Sequence, residues 1–149
     1  MTNQQQTYCQ PFFIVKQSSI HSQGAFAKIL IPKGTHIIEY IGEKITITEA
    51  QSREQQNQKT GATYIFILDD EYCLDGAVNG NESASINHSC DPNCETELIN
   101  GKIWIIALRD ILPGEELTYD YEFDSDDPVR DRCYCHSKNC RGFIQLDRS

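Results

Sequence analysis

The sequence predicts a mainly β protein, built from short strands in small sheets with one or two short surface helices. Short runs rich in β-branched and aromatic residues alternate with turn signals along most of the chain, which is typical of such folds. Only one segment has the composition of a helix. The 149 residues fit one domain, which at this size buries roughly two thirds of its unfolded surface.

Eight segments are predicted to be strands, and turn residues separate them. Asn100-Gly101 is the strongest turn signal, because this dipeptide adopts the tight turn that matches the twist of two paired strands. Turns containing Pro and Gly at 32–34 and 113–114 precede two further strands. The predicted strands are 12–16, 25–31, 35–45, 64–68, 72–74, 95–99, 102–108 and 117–123.

Residues 48–59, which are polar and rich in Glu and Gln, are the predicted helix. Thr48 and Gln51 have the spacing of a capping box, and Gly61 follows the last turn. The apolar face is weak, so we expect this helix on the surface. The longest apolar run, 103–108, is far shorter than the ~20 residues of a membrane-spanning helix, so no membrane partner is expected.

The acidic balance of the chain restricts its partners. A formal net charge of −9 argues against a nucleic-acid ligand, which favours a basic face, and it suits a basic, lysine-rich protein. The alternative is that the charge only keeps the protein soluble, and we expect a monomer. Residues 1–6 lack the features of a signal peptide, so an intracellular location is expected, cytoplasmic in a bacterium and nuclear or chromosomal in a eukaryote.

The cysteines indicate a metal site. Seven cysteines, an odd number, argue against a disulfide framework in a reducing compartment. Cys133, Cys135 and Cys140 have the spacing C-x-C-x4-C, and a structural zinc ion needs four ligands. Three unrelated buried cysteines are the alternative, and His136 is expected to be exposed. Candidates for the fourth ligand are Cys9, Cys73, Cys90 and Cys94.

Two segments resemble the signatures of SET-domain lysine methyltransferases. Asn87–Cys94 has the sequence NHSCDPNC, and Glu115–Tyr121 has the sequence EELTYDY. Further segments resemble other parts of the family, in the same order along the chain. Residues 20–27 resemble the glycine-containing cofactor loop, and 32–34 with 38–43 resemble the strands that follow it. Residues 64–66 resemble the tyrosine-bearing middle strand, and 133–140 resemble the post-SET cysteine motif.

The resemblance implies a SET-domain fold in which the two signatures pack together as a pseudoknot. It divides the chain into a flexible polar tail at 1–10, a SET domain at 11–123 and a post-SET zinc-binding segment at 124–149. It also implies two cofactors, S-adenosylmethionine and zinc. The implied zinc ligands are Cys90, Cys133, Cys135 and Cys140.

The resemblance also implies roles for individual residues. Tyr121 is the catalytic tyrosine, Tyr64 its partner in the lysine channel, and Tyr119 the residue that limits how many methyl groups are added. Core packing is the alternative for each tyrosine, and a hydrogen-bonded turn is the alternative for Asn87 and His88. Residues implied to contact the cofactor are His21, Gln23, Tyr64, Asn87, His88, Tyr121 and Tyr134.

Four positions depart from the family pattern. Ser22 stands where the first glycine of the cofactor loop is usual, and Gln23 stands where arginine is common. Ala84 and Ser85 stand where Arg-Phe often precedes the first signature.

The implied activity is methylation of a lysine in a basic protein, such as a histone or histone-like protein, with mono- or dimethyl-lysine as the main product. Such a displacement needs positioning and a neutral amine more than a dedicated base. The alternatives are a non-catalytic SET-like module that binds a protein and a small zinc-stabilised DNA-binding protein. The net charge argues against the second.

Overall fold

The structure is a computed structural model that describes residues 11–57, 64–122 and 132–144. The predicted tail at 1–10, the start of the predicted post-SET segment at 124–131, Cys9, Gly61 and Phe123 lie outside the described residues. The prediction of a mainly β fold with short strands in small sheets is confirmed. Within the described residues, no helix is long and apolar enough to cross a membrane.

The described part of the chain forms ten strands, one α-helix and one 3-10 turn. The helix α1 spans Ile47–Asn57, and the 3-10 turn spans Glu82–Ser85. The strands are β1 (Phe13–Gln17), β2 (Gln23–Ala27), β3 (His36–Tyr40), β4 (Glu43–Thr46), β5 (Ile65–Ile67), β6 (Tyr72–Asp75), β7 (Asn87–His88), β8 (Cys94–Ile99), β9 (Lys102–Ala107) and β10 (Thr118–Tyr119).

The strands form four small sheets. β1 and β2 make an antiparallel hairpin, β3, β9 and β8 make one three-stranded sheet, and β4, β6 and β5 make another. β7 and β10 pair in parallel. The turn between β8 and β9 is Asn100-Gly101, both with positive φ (51° and 79°), as predicted for a two-residue hairpin.

Three predicted strands differ from those observed. The segment 35–45 is two strands, because the chain leaves the β9 sheet at Tyr40 and joins the β6 sheet at Glu43. The segment 25–31 is in a strand only to Ala27, after which Ile31 forms an isolated bridge with Ile111. Of the segment 117–123, the structure describes 117–122, and within these residues only 118–119 is a strand, since β7 offers only two residues for pairing.

The predicted capping box of Thr48 and Gln51 is wrong. α1 begins at Ile47, and the Thr46 hydroxyl oxygen accepts a hydrogen bond from the Glu49 backbone N–H at 3.2 Å. Thr46 therefore caps the helix. The predicted cap, Thr48, lies two residues beyond the observed one, because β4 leads directly into the helix without a loop.

The main core takes side chains from three of the four sheets and from the segments that precede β7 and β10. Ile103 and Ile105 of β9 are 2% and 0% exposed, and each such isoleucine contributes roughly 1.5–3 kcal/mol through burial. Ile86 and Leu117 directly precede β7 and β10 and are fully buried. These two side chains anchor the short parallel pair to the core.

Candidate active site and metal centre

The two signature segments lie side by side in the structure. β7 and β10 pair in parallel, with Asn87 opposite Thr118. Asn93 holds the segments together, because its amide nitrogen donates to the Glu116 carbonyl and its amide oxygen accepts from the Thr118 backbone N–H, both at 2.9 Å. Asn93 is buried, so these hydrogen bonds are sheltered from water.

Tyr119 and Tyr121 pack against each other at the end of β10. Their ring centroids lie 4.9 Å apart, and the Tyr121 hydroxyl donates to the Ile86 carbonyl oxygen at 2.7 Å. Burial raises the pKa of both phenols above the ordinary value, and neighbouring tyrosines add to the effect. Both hydroxyls therefore stay protonated at neutral pH and are donors rather than bases.

Tyr40, which sequence analysis placed only in a strand, joins this cluster. Its hydroxyl donates to the Tyr64 carbonyl oxygen, and its ring centroid lies 5.4 Å from that of Phe66. Tyr40 and Tyr64 are both close enough to raise the pKa of Tyr121. The structure thus brings Tyr64, Tyr119 and Tyr121 together and adds a fourth tyrosine. The signal for Tyr40 was its place in the segment 38–43 that resembles the family.

The loop between β1 and β2 approaches Asn87. The Asn87 amide nitrogen donates to the Gln23 carbonyl oxygen at 2.8 Å, so the contact uses the backbone of Gln23. The side chains of His21, Ser22 and Gln23 are exposed. Ser22 does not have a positive φ, so a serine occupies this position without backbone strain.

Glu116 and Ser18 were missed as site residues. The Ser18 hydroxyl donates to the Glu116 carboxylate, at 3.0 and 2.9 Å from its two oxygens, and the Asn87 amide nitrogen donates to Oε2 at 2.9 Å. Gly24 packs directly on this carboxylate, since a Cβ there would lie 2.2 Å from Oε2. The position of Glu116 inside the second signature was the sequence feature that could have identified it as a site residue.

His88 connects the tyrosines with the cysteine cluster. Its Nδ1 accepts a hydrogen bond from the Tyr121 backbone N–H at 3.1 Å, and its Nε2 lies 3.5 Å from the Cys90 sulfur. Burial lowers the pKa of His88 to about 4, with Arg141 assisting and Asp120 opposing. His88 is therefore neutral, with its proton on Nε2. Its 3.6 Å approach to Asp120 is not an ion pair.

Four sulfur atoms converge where the C-terminal segment meets the first signature. They lie within 4.8 Å of one another, and those of Cys90 and Cys133 are 3.8 Å apart. A tetrahedral zinc ion with Zn–S bonds of about 2.3 Å places its sulfurs about 3.8 Å apart. The four residues are Cys90, Cys133, Cys135 and Cys140. This set of four sulfurs, without a carboxylate, fits a structural zinc ion.

The surroundings of the sulfurs agree with bound thiolates. The backbone N–H groups of Arg141 and Gly142 donate to the sulfurs of Cys90 and Cys140, each at 3.4 Å. Burial raises the pKa of Cys90 and also acts to raise that of Cys135, but hydrogen bonds, chiefly from Ser137, lower the pKa of Cys135 to about 5. Burial also raises the pKa of Cys133, so the thiols of Cys90 and Cys133 need a cation to lose their protons at neutral pH.

The other candidate residues lie apart from this centre. Cys73 and Cys94 are buried in the body of the domain, and burial raises the pKa of Cys94 to about 12. His136 is exposed, as expected. Tyr134 lies between two of the clustered cysteines with 54% of its surface exposed. Ala84 and Ser85 belong to the 3-10 turn that leads into β7.

This architecture, with two paired signature strands between a tyrosine cluster and a four-sulfur centre, defines a SET-type domain. The family model for the SET domain matches residues 22–122. The chain belongs to the SET-domain family.

Three proteins that are similar to this chain in sequence are named as histone-lysine N-methyltransferases. The chain is 42% identical over 138 residues to the histone-lysine N-methyltransferase, H3 lysine-4 specific, of Emericella nidulans, and 41% identical over 136 residues to the protein of that name from Saccharomyces cerevisiae. It is 44% identical over 135 residues to histone-lysine N-methyltransferase TRX1 of Oryza sativa subsp. japonica. Each match covers 86% of this chain but only 11–13% of the relative.

Proposed function

We propose that the chain is an S-adenosylmethionine-dependent protein-lysine N-methyltransferase that acts on a basic protein such as histone H3. The observation that carries this proposal is the cluster of four tyrosines beside the parallel pair containing Asn87 and His88. The names of the three relatives support it, since all are histone-lysine methyltransferases and two are specific for H3 lysine 4.

The tyrosine cluster suits a channel for a lysine side chain. Aromatic rings pack along the methylene groups, and their faces attract the ammonium as it enters. Lysine has a pKa of about 10.4 in water, and burial lowers it, because an apolar channel disfavours the charged form. The amine then loses its proton to water and presents its lone pair. S-Adenosylmethionine, when bound, supplies the methyl group on a sulfonium.

In this proposal the tyrosine hydroxyls orient the groups of the site and do not transfer protons. Tyr121 stays protonated and its hydroxyl is oriented by the Ile86 carbonyl, so the ring keeps one orientation against the amine. His88 is neutral and is held by the Tyr121 backbone N–H, so it offers an uncharged surface to the cofactor. The chain therefore aligns the reacting atoms, which is the main requirement of an in-line displacement.

Tyr119 is proposed to limit the reaction to one or two methyl groups. Its buried phenol lies against Tyr121, beside the proposed amine position. A hydroxyl there fills volume that an additional methyl group would need. It can also hold the amine by a hydrogen bond that must break before the methylated nitrogen rotates.

Zinc is proposed to join the domains of the chain. We assign residues 1–10 to an N-terminal tail, 11–123 to the SET domain and 124–149 to a post-SET segment that zinc attaches to the first signature through Cys90. Fixing this segment would bring Tyr134 towards a cofactor at Asn87. An apparent zinc-binding free energy on the order of 10–16 kcal/mol is ample for this role.

The substrate segment is proposed to bind as an added strand. β5 lies at the edge of its sheet and directly follows Tyr64, so an extended peptide pairing along it would pass the tyrosine cluster. The net charge of −9 favours a basic substrate over nucleic acid. A nuclear location fits the eukaryotic relatives, and we retain the expectation of a monomer without a membrane partner.

The test is transfer of radiolabel from S-adenosylmethionine to purified histone H3, with mass spectrometry to locate the labelled lysine. The expected result is label in one or two lysines of H3, incorporated at least about tenfold more slowly by Tyr121→Phe. Binding of H3 without binding of S-adenosylmethionine would instead identify a non-catalytic protein-binding module.

A further inference from the structure

Glu116 has no cationic partner within the described residues. Other sheltered carboxylates have one: Asp75 pairs with Arg53, and Asp120 pairs with Arg141, both at 2.8 Å. Glu116 is only partly exposed, and its hydrogen bonds come from a hydroxyl and an amide, which are neutral. A sheltered carboxylate is destabilised unless a positive charge lies near it. The Glu116 carboxylate therefore leaves a negative charge that a cationic ligand could balance.

The position of Glu116 relates it to the cofactor site. Ser18 lies two residues before the segment 20–27 that resembles the cofactor loop, and its hydroxyl bridges both carboxylate oxygens of Glu116. Gly24 lies within that segment and leaves no room for a side chain beside Oε2. Asn87 contacts the carboxylate from β7. Glu116 thus touches both elements that the family resemblance assigns to the cofactor.

Glu116 also fixes the orientation of the Asn87 amide. The amide nitrogen donates to the Gln23 carbonyl at 2.8 Å and to Glu116 Oε2 at 2.9 Å, which are groups that can only accept, and the Ser18 hydroxyl oxygen is a longer contact at 3.3 Å. The amide cannot flip without placing its oxygen against these two acceptors. Its oxygen is therefore directed away from them, and within the described residues it receives no hydrogen bond. Asn87 is 7% exposed, so this sheltered acceptor is available to a ligand donor.

We propose that Glu116 is a further cofactor-site residue: it positions the Asn87 amide so that its oxygen is available to the ammonium group of S-adenosylmethionine, and it adds negative charge beside that group's site. An ammonium offers three donors and a positive charge. The Asn87 oxygen supplies an acceptor for the ammonium, and the ammonium supplies the positive charge that Glu116 lacks within the described residues. This inference rests on the proposed function, because it presumes that S-adenosylmethionine is the ligand.

The experiment compares two ligands that differ at the amino-acid end. S-Adenosylhomocysteine carries the ammonium, whereas 5′-methylthioadenosine keeps the adenosine and the thioether but lacks the amino acid. Their dissociation constants are measured by calorimetry for the full zinc-loaded chain and for Glu116→Gln. Glutamine preserves the shape and can accept the same hydrogen bond from Asn87, so the substitution isolates the charge. Glu97→Gln, an exposed site on β8, is the control with the same change in net charge.

Glu116→Gln is expected to raise the dissociation constant for S-adenosylhomocysteine about tenfold, equivalent to about 1.4 kcal/mol, and to change that for 5′-methylthioadenosine less than about twofold. Glu97→Gln should change neither. Ser18→Ala removes the hydroxyl that donates to the Glu116 carboxylate. It should weaken the binding of S-adenosylhomocysteine by a smaller factor, about threefold, without weakening that of 5′-methylthioadenosine. This variant replaces Glu116→Gln in the test if Glu116→Gln does not fold.

Equal weakening of both ligands would show a merely structural role and overturn the inference, as would unchanged affinity for both. In either case wild-type binding of S-adenosylhomocysteine would leave the proposed function standing. Failure of the wild-type chain to bind either S-adenosylmethionine or S-adenosylhomocysteine would overturn the proposed function together with the inference.

Discussion

Tyr121→Phe removes one oxygen atom from the centre of the proposed site. The lost hydrogen bond runs 2.7 Å to the carbonyl of Ile86, a residue that is 1% exposed. Its loss costs about 1 kcal/mol, and about 2 kcal/mol if the carbonyl is left without a partner. In a domain of this size each 1 kcal/mol lowers Tm by about 2–4 °C, so we expect a decrease of about 2–8 °C in a folded protein.

The effect on activity should be much larger than the effect on folding. We expect the methylation rate to decrease at least about tenfold, because an oriented hydroxyl beside the reacting amine is lost. The assay is the single-turnover rate with histone H3, measured with calorimetry of cofactor binding and thermal unfolding on the same sample. Cofactor affinity should change little, since the Asn87 contacts remain.

The matched control is Tyr72→Phe. Tyr72 lies half-buried in β6, outside the tyrosine cluster, with the Lys44 ammonium 4.5 Å from its ring centroid. Removal of the same atom there should leave the methylation rate unchanged. A normal rate in Tyr121→Phe, or an equal loss in both variants, would mean that the active site has been assigned to the wrong residues.

Three further substitutions test the remaining assignments. Cys90→Ser should lose the zinc that Cys73→Ala retains, as measured by elemental analysis; full metal content in Cys90→Ser would remove Cys90 from the ligand set. Tyr119→Phe should shift the products towards di- and trimethyl-lysine by mass spectrometry, and an unchanged distribution, or abundant trimethyl-lysine from the wild type, would contradict the proposed limit. Asn87→Ala should raise the dissociation constant of S-adenosylmethionine about tenfold or more, since an oriented amide is lost, and unaltered binding would place the cofactor elsewhere.

The sequence predicted those parts of the fold that depend on local signals. The Asn100-Gly101 turn fixed the β8–β9 hairpin, because the positive φ angles it needs are determined within two residues. The change of sheet between Tyr40 and Glu43 was not predictable in this way. Both halves of 35–45 have the composition of strands, and only their partners, β9 and β6, distinguish them.

The site was predictable where a residue lies in a recognisable signature and contributes its own side chain. Tyr119 and Tyr121 are examples, and the structure brings them together with Tyr64. Tyr40 and Glu116 lie in similar segments, but their importance comes from tertiary contacts with Tyr64 and with Asn87. Composition and spacing carry no information about such contacts. The fourth member of the sulfur cluster is a related case, because spacing alone left four candidates and the family resemblance was needed to choose Cys90.

The parallel pairing of β7 with β10 has a consequence for the order of folding. The two strands are joined through the β8–β9 hairpin, whose turn is local and closes rapidly. Once Cys94 lies opposite Ala107, the loop that must still close between His88 and Tyr119 shrinks from about 30 residues to about 18, a gain of about 0.5 kcal/mol in chain entropy. We expect the hairpin to be formed in the transition state and the two signature strands to join after it. A φ-value near one at Ile103, with a value near zero at Leu117, would show this order; the reverse would contradict it. The Asn100-Gly101 turn, which lies outside the proposed site, then determines when the two signature strands pair.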